Sequence, residues 1–233
     1  MKLTTLLDGL AELLFPPRCV ACAALVPPGA AFCAPCAVAT EPLGAACPRC
    51  ALPIAGGGGT CLGCAATPPP WERAHAVLIY GGSTATAVRR YKAGAPELAR
   101  PLGALLEPLL AALPAESVLV PVPLHPRRLR QREFNQASLL ARVARRRRPH
   151  LTVGEWLDRR RDTPPQSSLA ARARRDNVRG AFRVRPGAPV AGRTVVLVDD
   201  VLTTGATLGE CAAVLQRSKA ARVEVLVLAR AVA

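Results

Sequence analysis

VVLVDDVLTTGATLG, residues 195–209, runs from an apolar stretch into two adjacent carboxylates and then into hydroxyls around one glycine. The Val-rich start reads as a strand buried on both faces. Asp199 and Asp200 close it. Thr203, Thr204, Gly205, Ala206 and Thr207 then lead into a helix expected over 206–219. Two neighbouring carboxylates repel, and no cation stands beside them in sequence, so something that binds there should make the pair favourable. Helix N-terminal amides and threonine hydroxyls suit a phosphate, and glycine lets the backbone approach it closely. The loop lacks the G-x-x-x-x-G-K-[ST] pattern and its lysine, so it is not a P-loop. Carboxylates just before such a cradle suit the vicinal hydroxyls of a sugar phosphate, directly or through a divalent ion.

Working outward, strands are expected at 74–80, 117–123, 151–157, 193–200 and 222–229. Helices are expected at 84–92, 97–112, 134–147 and 206–219. Alternating strands and helices imply an α/β fold with a mainly parallel sheet and helices on both faces. Ligands bind such sheets beyond the carboxyl ends of the strands. Both DDVLTTGAT and PVPLHPRRLR fall there. Residues 159–182 read as a long, basic, mostly irregular segment.

Eight of the nine cysteines form C-x-x-C pairs: Cys19 and Cys22, Cys33 and Cys36, Cys47 and Cys50, Cys61 and Cys64. Adding 28 to each number of the first four gives the second four, so a four-thiolate unit is repeated. Four soft ligands suit tetrahedral zinc, and one C-x-x-C turn presents two of them to one ion. Residues 16–66 are rich in Pro and Gly and poor in large apolar residues, so they need metal or crosslinks to fold. About two structural zinc ions per chain are the favoured reading over a disulfide framework. Spacing leaves open whether each site lies within one repeat or is interleaved between repeats. Cys211 falls in a predicted helix and reads as a small buried apolar residue.

The 233 residues carry a net charge of +15, and only 3% are aromatic. The charge points to an anionic partner, with an arginine-rich composition as the plainer explanation. No apolar stretch is long enough to span a bilayer. Asp8 and Glu12 interrupt any secretory h-region, and the leucines of residues 1–15 fit one helical face. The expected organisation is an amphipathic helix (1–15), a Cys-rich module (16–66), a linker (67–72) and an α/β domain (73–233), in the cytoplasm.

The strand, the Asp-Asp pair and TTGAT resemble the phosphoribosyl pyrophosphate (PRPP) signature of type I phosphoribosyltransferases. Together with FPPRC, the cysteine pairs, VPVPLHPRRLRQREFNQA and RDTPPQSSLAARARRDNVRGAF, the whole chain resembles the ComF family. These are phosphoribosyltransferase-like bacterial proteins linked to DNA uptake in natural competence. The resemblance implies a type I phosphoribosyltransferase-like sheet behind a double zinc ribbon. It implies that Asp199 and Asp200 grip the ribose hydroxyls and are the catalytic candidates, and that Thr203–Thr207 hold the 5-phosphate. It further implies that His125, Arg127 and Arg128 lie in the pyrophosphate loop, that 160–179 is the loop closing over PRPP, and that Mg accompanies PRPP. The implied role is binding PRPP or a ribose 5-phosphate compound in DNA uptake. The alternatives are an active transferase of nucleotide or amine metabolism, and a PRPP-sensing regulator. Single-stranded DNA and a competence helicase or uptake-channel protein are the further partners implied. DNA contacts are expected on the zinc module with 142–148 or 172–179. Tyr80 and Tyr91 are candidates to line an acceptor pocket. One departure stands out: Glu133 occupies the glycine position of the family's Arg-Gly-Phe-Asn-Gln.

Overall fold

The computed structural model describes residues 16–56, 58–162 and 176–232. The helix expected over 1–15 and residues 163–175 of the basic segment lie outside the described residues.

Two short helices, α1 (Ala34–Val38) and α2 (Leu62–Ala66), each start directly after a cysteine, Cys33 or Cys61. Then come β1 (Arg73–Ile79), α3 (Gly82–Lys92), a single 3-10 turn (Pro96–Leu98), α4 (Ala99–Ala104), α5 (Glu107–Leu110) and β2 (Val118–Pro121). They are followed by α6 (Pro126–Arg132), α7 (Gln136–Arg147), β3 (Thr152–Val153), β4 (Leu157–Arg159) and β5 (Phe182–Val184). Last are β6 (Thr194–Leu202), α8 (Ala206–Arg217) and β7 (Arg222–Arg230).

Five strands form a parallel sheet in the order β1-β7-β6-β2-β3, and β4 pairs antiparallel with β5 outside it. The central strands bury both faces. Val195, Leu197, Val225 and Val227 enter one core with Trp71, Phe182, Cys211 and Leu215. Val196, Val198, Leu226 and Leu228 enter the other with Tyr91, Leu102 and Leu140. Two-sided burial explains why these strands read as unbroken apolar runs. β6 pairs with β2 only as far as Val198, opposite Pro121, but with β7 as far as Leu202. Its last four residues project past β2, on the side of the sheet where the strand order reverses. A crevice at such a reversal is the usual ligand position in open α/β sheets.

Several elements differ from expectation. The helix expected over 97–112 is broken into three pieces. Pro108 has no N–H to offer the preceding turn, and its ring crowds that turn. The strand expected over 151–157 divides at Gly154: β3 joins the main sheet and β4 the small one. A Cβ on Gly154 would lie 2.5 Å from Nε1 of Trp156, so the turn there needs a residue without a side chain. α6 was not expected. Pro126 in its first turn suits a helix start, and His125 caps it by accepting from the Arg127 amide. α7 starts at Gln136, two residues later than expected, because Asn135 is its cap and accepts from the Ala137 amide at 3.0 Å. Glu133 keeps a left-handed backbone, φ +65°, without the glycine. Among the described residues no helix is long and apolar enough to cross a membrane.

Candidate functional site

Asp199 and Asp200 sit at the carboxyl end of β6, where alternation sends their side chains to opposite faces of the sheet. Asp200 is 5% exposed and pairs with Lys92, the last residue of α3, at 2.8 Å (Nζ to Oδ1). The cation missing from the neighbouring sequence is therefore supplied across the fold. Burial pulls the Lys92 ammonium down, but Asp200 more than offsets this and leaves its pKa raised. Asp199 faces the side of Cys211 and Arg159 and accepts from the Asp200 amide at 2.9 Å. Burial first, and the Asp200 charge second, push its carboxyl up to about 7.

Thr203 and Thr204 lead to Gly205, whose φ of +75° is a glycine conformation and which is the N-cap of α8. Gly205 has no side chain to cap that helix, so its first-turn amides keep their affinity for an anion. Thr204 is exposed, and Thr203 and Thr207 are half-buried. Trp71 lies against the loop: a Cβ on Gly205 would be 2.8 Å from its Cη2. Trp71, within the segment expected as a linker, is thus a buried side chain, 4% exposed, packed beneath the candidate phosphate loop.

His125, Arg127 and Arg128 lie at the start of α6, just beyond β2. Asp162 holds this group together, 3.3 Å from Arg127 and 3.7 Å from Nδ1 of His125. Beside them is a cavity of about 370 Å³. Pro123, Leu124 and Leu129 form its apolar wall, and Arg159, Arg160, Arg183 and Arg185 supply charge. Asp158 anchors two of these arginines, Arg183 at 3.2 Å and Arg185 at 2.8 Å. Arg159 is 8% exposed and stacks over Phe182 at 5.3 Å. The structure thus brings the Asp pair, the glycine loop and the α6 start to one end of the sheet. Lys92, Arg159 and Asp162 join them; Lys92 and Arg159 were not among the expected site residues, and Asp162 was expected only as part of the closing loop 160–179. Tyr91 does not line a pocket: it is fully buried, and its hydroxyl donates to the Gln136 carbonyl at 2.9 Å.

The cysteines form two clusters, one per repeat: Cys19, Cys22, Cys33 and Cys36, and Cys47, Cys50, Cys61 and Cys64. Within each, the four sulfurs lie within 4.8 Å of one another. Four thiolates around one zinc at ~2.3 Å would be about 3.8 Å apart, whereas a disulfide needs about 2.05 Å. Cys22 and Cys33 are 3.5 Å apart, and Cys50 and Cys61 3.7 Å, so the spacing fits zinc and excludes a bond within either pair. Backbone amides also turn toward the sulfurs. Burial raises the Cys47 thiol, but amides of Cys61, Arg49 and Cys50 outweigh it and bring the pKa to about 6. Amides of Cys22, Cys33 and Ala21 do the same for Cys19. Both clusters fit structural zinc ribbons, and this settles the pairing that spacing left open.

Residues 10–68 match the double zinc ribbon domain family, and residues 158–233 match the phosphoribosyl transferase domain family. The chain is 38% identical over 172 residues to the DNA utilization protein YhgH of Escherichia coli O157:H7, across 70% of this chain and 74% of that one. It is 38% identical over 170 residues to the protein of the same name in Salmonella typhi, with the same coverage. Competence protein F of Haemophilus influenzae is 36% identical over 114 residues, 48% of this chain and 50% of that one. A solved structure, TT1426 from Thermus thermophilus, aligns at 23% identity with a TM-score of 0.33 over 55% of this chain and 72% of that one. Two four-cysteine clusters ahead of a parallel sheet, the two domain matches and the relatives agree, and the chain belongs to the ComF family.

Proposed function

We propose that the chain binds PRPP, or a ribose 5-phosphate compound, at the carboxyl end of β6 and serves in the handling of incoming DNA. The observation that carries the ligand is the continuous unit of strand, acid pair, glycine loop and helix start, projecting beyond β2. Asp199 and Asp200 accept hydrogen bonds from the ribose hydroxyls. Thr203, Thr204 and Thr207, with the amides at the start of α8, take the 5-phosphate. Arg127, Arg128 and Arg159 form the positive field for the pyrophosphate, with His125 beside it as a polar contact, and a Mg ion held by Asp199 and Asp200 would supply further charge neutralisation.

The DNA part rests on relatives named for DNA utilization and for competence. It also rests on an exposed cationic end of the molecule. α7 begins beside Val122, whose carbonyl accepts from Asn135, and ends before β3. Arg145, Arg146, Arg147 and Arg148 therefore lie at the amino end of the sheet, away from the acid pair. Exposed Arg73, Arg193, Arg217 and Lys219 flank the strand starts at the same end. A backbone-reading, sequence-tolerant contact with single-stranded DNA suits such a surface.

Calorimetric titration with PRPP and Mg tests the ligand. Asp200→Asn removes a charge-assisted hydrogen bond worth about 1.5–3 kcal/mol, so affinity should fall roughly tenfold or more. Equal affinity in the variant and the parent would put the ligand elsewhere.

A further inference from the structure

We infer that the second zinc ribbon holds the candidate phosphate loop in shape, with Arg230 and Trp71 as positioning residues, so that metal binding at Cys47, Cys50, Cys61 and Cys64 and ligand binding at residues 203–207 are energetically coupled. This rests on the ligand reading above and adds its control by the ribbon.

The C-x-x-C turn at Cys47–Cys50 offers three successive carbonyls to the α/β body. Pro48 accepts from the Ala74 amide in β1 at 2.9 Å. Arg49 accepts from Nε1 of Trp71 at 2.6 Å. Cys50 accepts from Nε of Arg230 at 2.8 Å. The other side of the Arg230 guanidinium donates to the carbonyls of Leu202 and Thr203, at 2.9 and 2.7 Å. One planar cation thus bridges a zinc ligand's backbone and the entrance of the loop. Trp71 bridges a second point: its N–H is on the turn, and its ring is against Gly205.

The metal can act through these bonds because a trans peptide is planar. An N–H that turns toward sulfur sends the carbonyl of the same peptide the opposite way. The amides of Arg49 and Cys50 point at the Cys47 sulfur, so the carbonyls of Pro48 and Arg49 point outward, onto Ala74 and Trp71. A thiolate held by metal keeps both peptides in that setting. Without metal the four sulfurs repel or take up protons, and the setting is lost.

Coupling of this kind is reciprocal: if metal tightens ligand binding by some factor, ligand tightens metal binding by the same factor, and tighter metal binding is read as slower release. The test follows zinc release from the full chain with a chromogenic chelator, with and without PRPP in saturating Mg. Fluorescence of Trp71 in a Trp156→Phe background marks the phase that belongs to the second ribbon. PRPP is expected to slow that phase roughly fivefold or more and to leave the other phase unchanged. Arg230→Met should reduce the retardation to below about twofold, with zinc content unchanged. Trp71→Phe removes both the N–H donor and the outer ring edge that meets Gly205, so it breaks both ends of that bridge and decides the matter if Arg230→Met does not fold. Equal retardation in the parent and in Trp71→Phe overturns the inference. So does Trp71 fluorescence that stays fixed as the second ribbon loses its metal. A parent protein that binds no PRPP in calorimetry removes the ligand reading and the coupling with it. PRPP that binds without altering zinc release removes the coupling alone.

Discussion

Glu133 ends α6 with φ +65°, a backbone state that costs a residue with a Cβ about 1–2 kcal/mol. Its amide still reaches the Leu129 carbonyl at 2.7 Å, so the turn itself is intact and only the side chain is out of place. Glu133→Gly is therefore expected to stabilise the protein by about 1 kcal/mol in urea melts. A loss of stability would mean that the glutamate makes a compensating contact. Asp199 carries a second prediction. Its folded pKa near 7 lies above the ordinary carboxylate value near 4, so the folded chain holds that proton more tightly than the unfolded one. The resulting penalty is absent below pH ~4, grows as pH rises through the window, and is complete above ~7. Asp200, Lys92, Arg159 and Cys211 are the groups whose fields meet there. Asp199→Asn should gain stability relative to the parent as pH rises from about 4 to about 7. A gap that stays constant would show that Asp199 ionises as an ordinary carboxyl. Both acids were readable in sequence as a candidate site. Their separation onto two faces follows from strand alternation alone. Lys92 was not readable, because its place beside Asp200 depends on how α3 packs against β6.

At the level of elements, the strands were the most legible part. Val- and Leu-rich runs can be buried on both faces only in a covered sheet, and β1, β2, β6 and β7 lie where those runs stand. Helices between them were harder to read, because prolines cut the apolar period at 97–112 and Pro126 began a helix in what looked like loop. α4 packs on α7 closely enough that a Cβ on Gly103 would lie 2.5 Å from Cγ1 of Val143. Gly103→Ala overpacks that contact, and destabilisation of about 1–3 kcal/mol is expected in thermal or urea unfolding. A neutral result would show that the two helices separate freely. The cysteine repeat was legible to the residue, since ligand spacing is local. Its bonds to Trp71 and Arg230 were not, because those partners come from the segment read as a linker and from the far end of the sheet.

Across the whole molecule, charge is divided between two ends. The acid pair and the Arg159 cavity lie at the carboxyl end of the sheet, and the Arg145–Arg148 cluster at the amino end. If single-stranded DNA lies on the latter, binding should weaken with salt, with a slope of roughly −0.7 per phosphate contacted. Replacing Arg145, Arg146 and Arg148 with Ser should reduce that slope and leave PRPP affinity as it was. Arg147 is kept for its ion pair with Glu107. Loss of both activities together would mean that the two ends are not independent, and an unchanged slope would move the DNA to the zinc module or to 172–179.

The position of β7 has its own consequence for how the chain is made. It follows the other strands in sequence yet lies between β1 and β6. A ribosome working at about 5–20 residues per second leaves β1 waiting roughly 8–30 s for the strand that covers its edge. An exposed strand edge invites pairing with other chains. During that interval the Pro42–Leu78 bridge and the Pro48–Ala74 hydrogen bond attach the cysteine module to β1. A ribbon that has already taken up its metal would cover the opposite edge of β1 and leave only the β7 edge open, so zinc supply at the time of synthesis would reduce the strand edge exposed to aggregation.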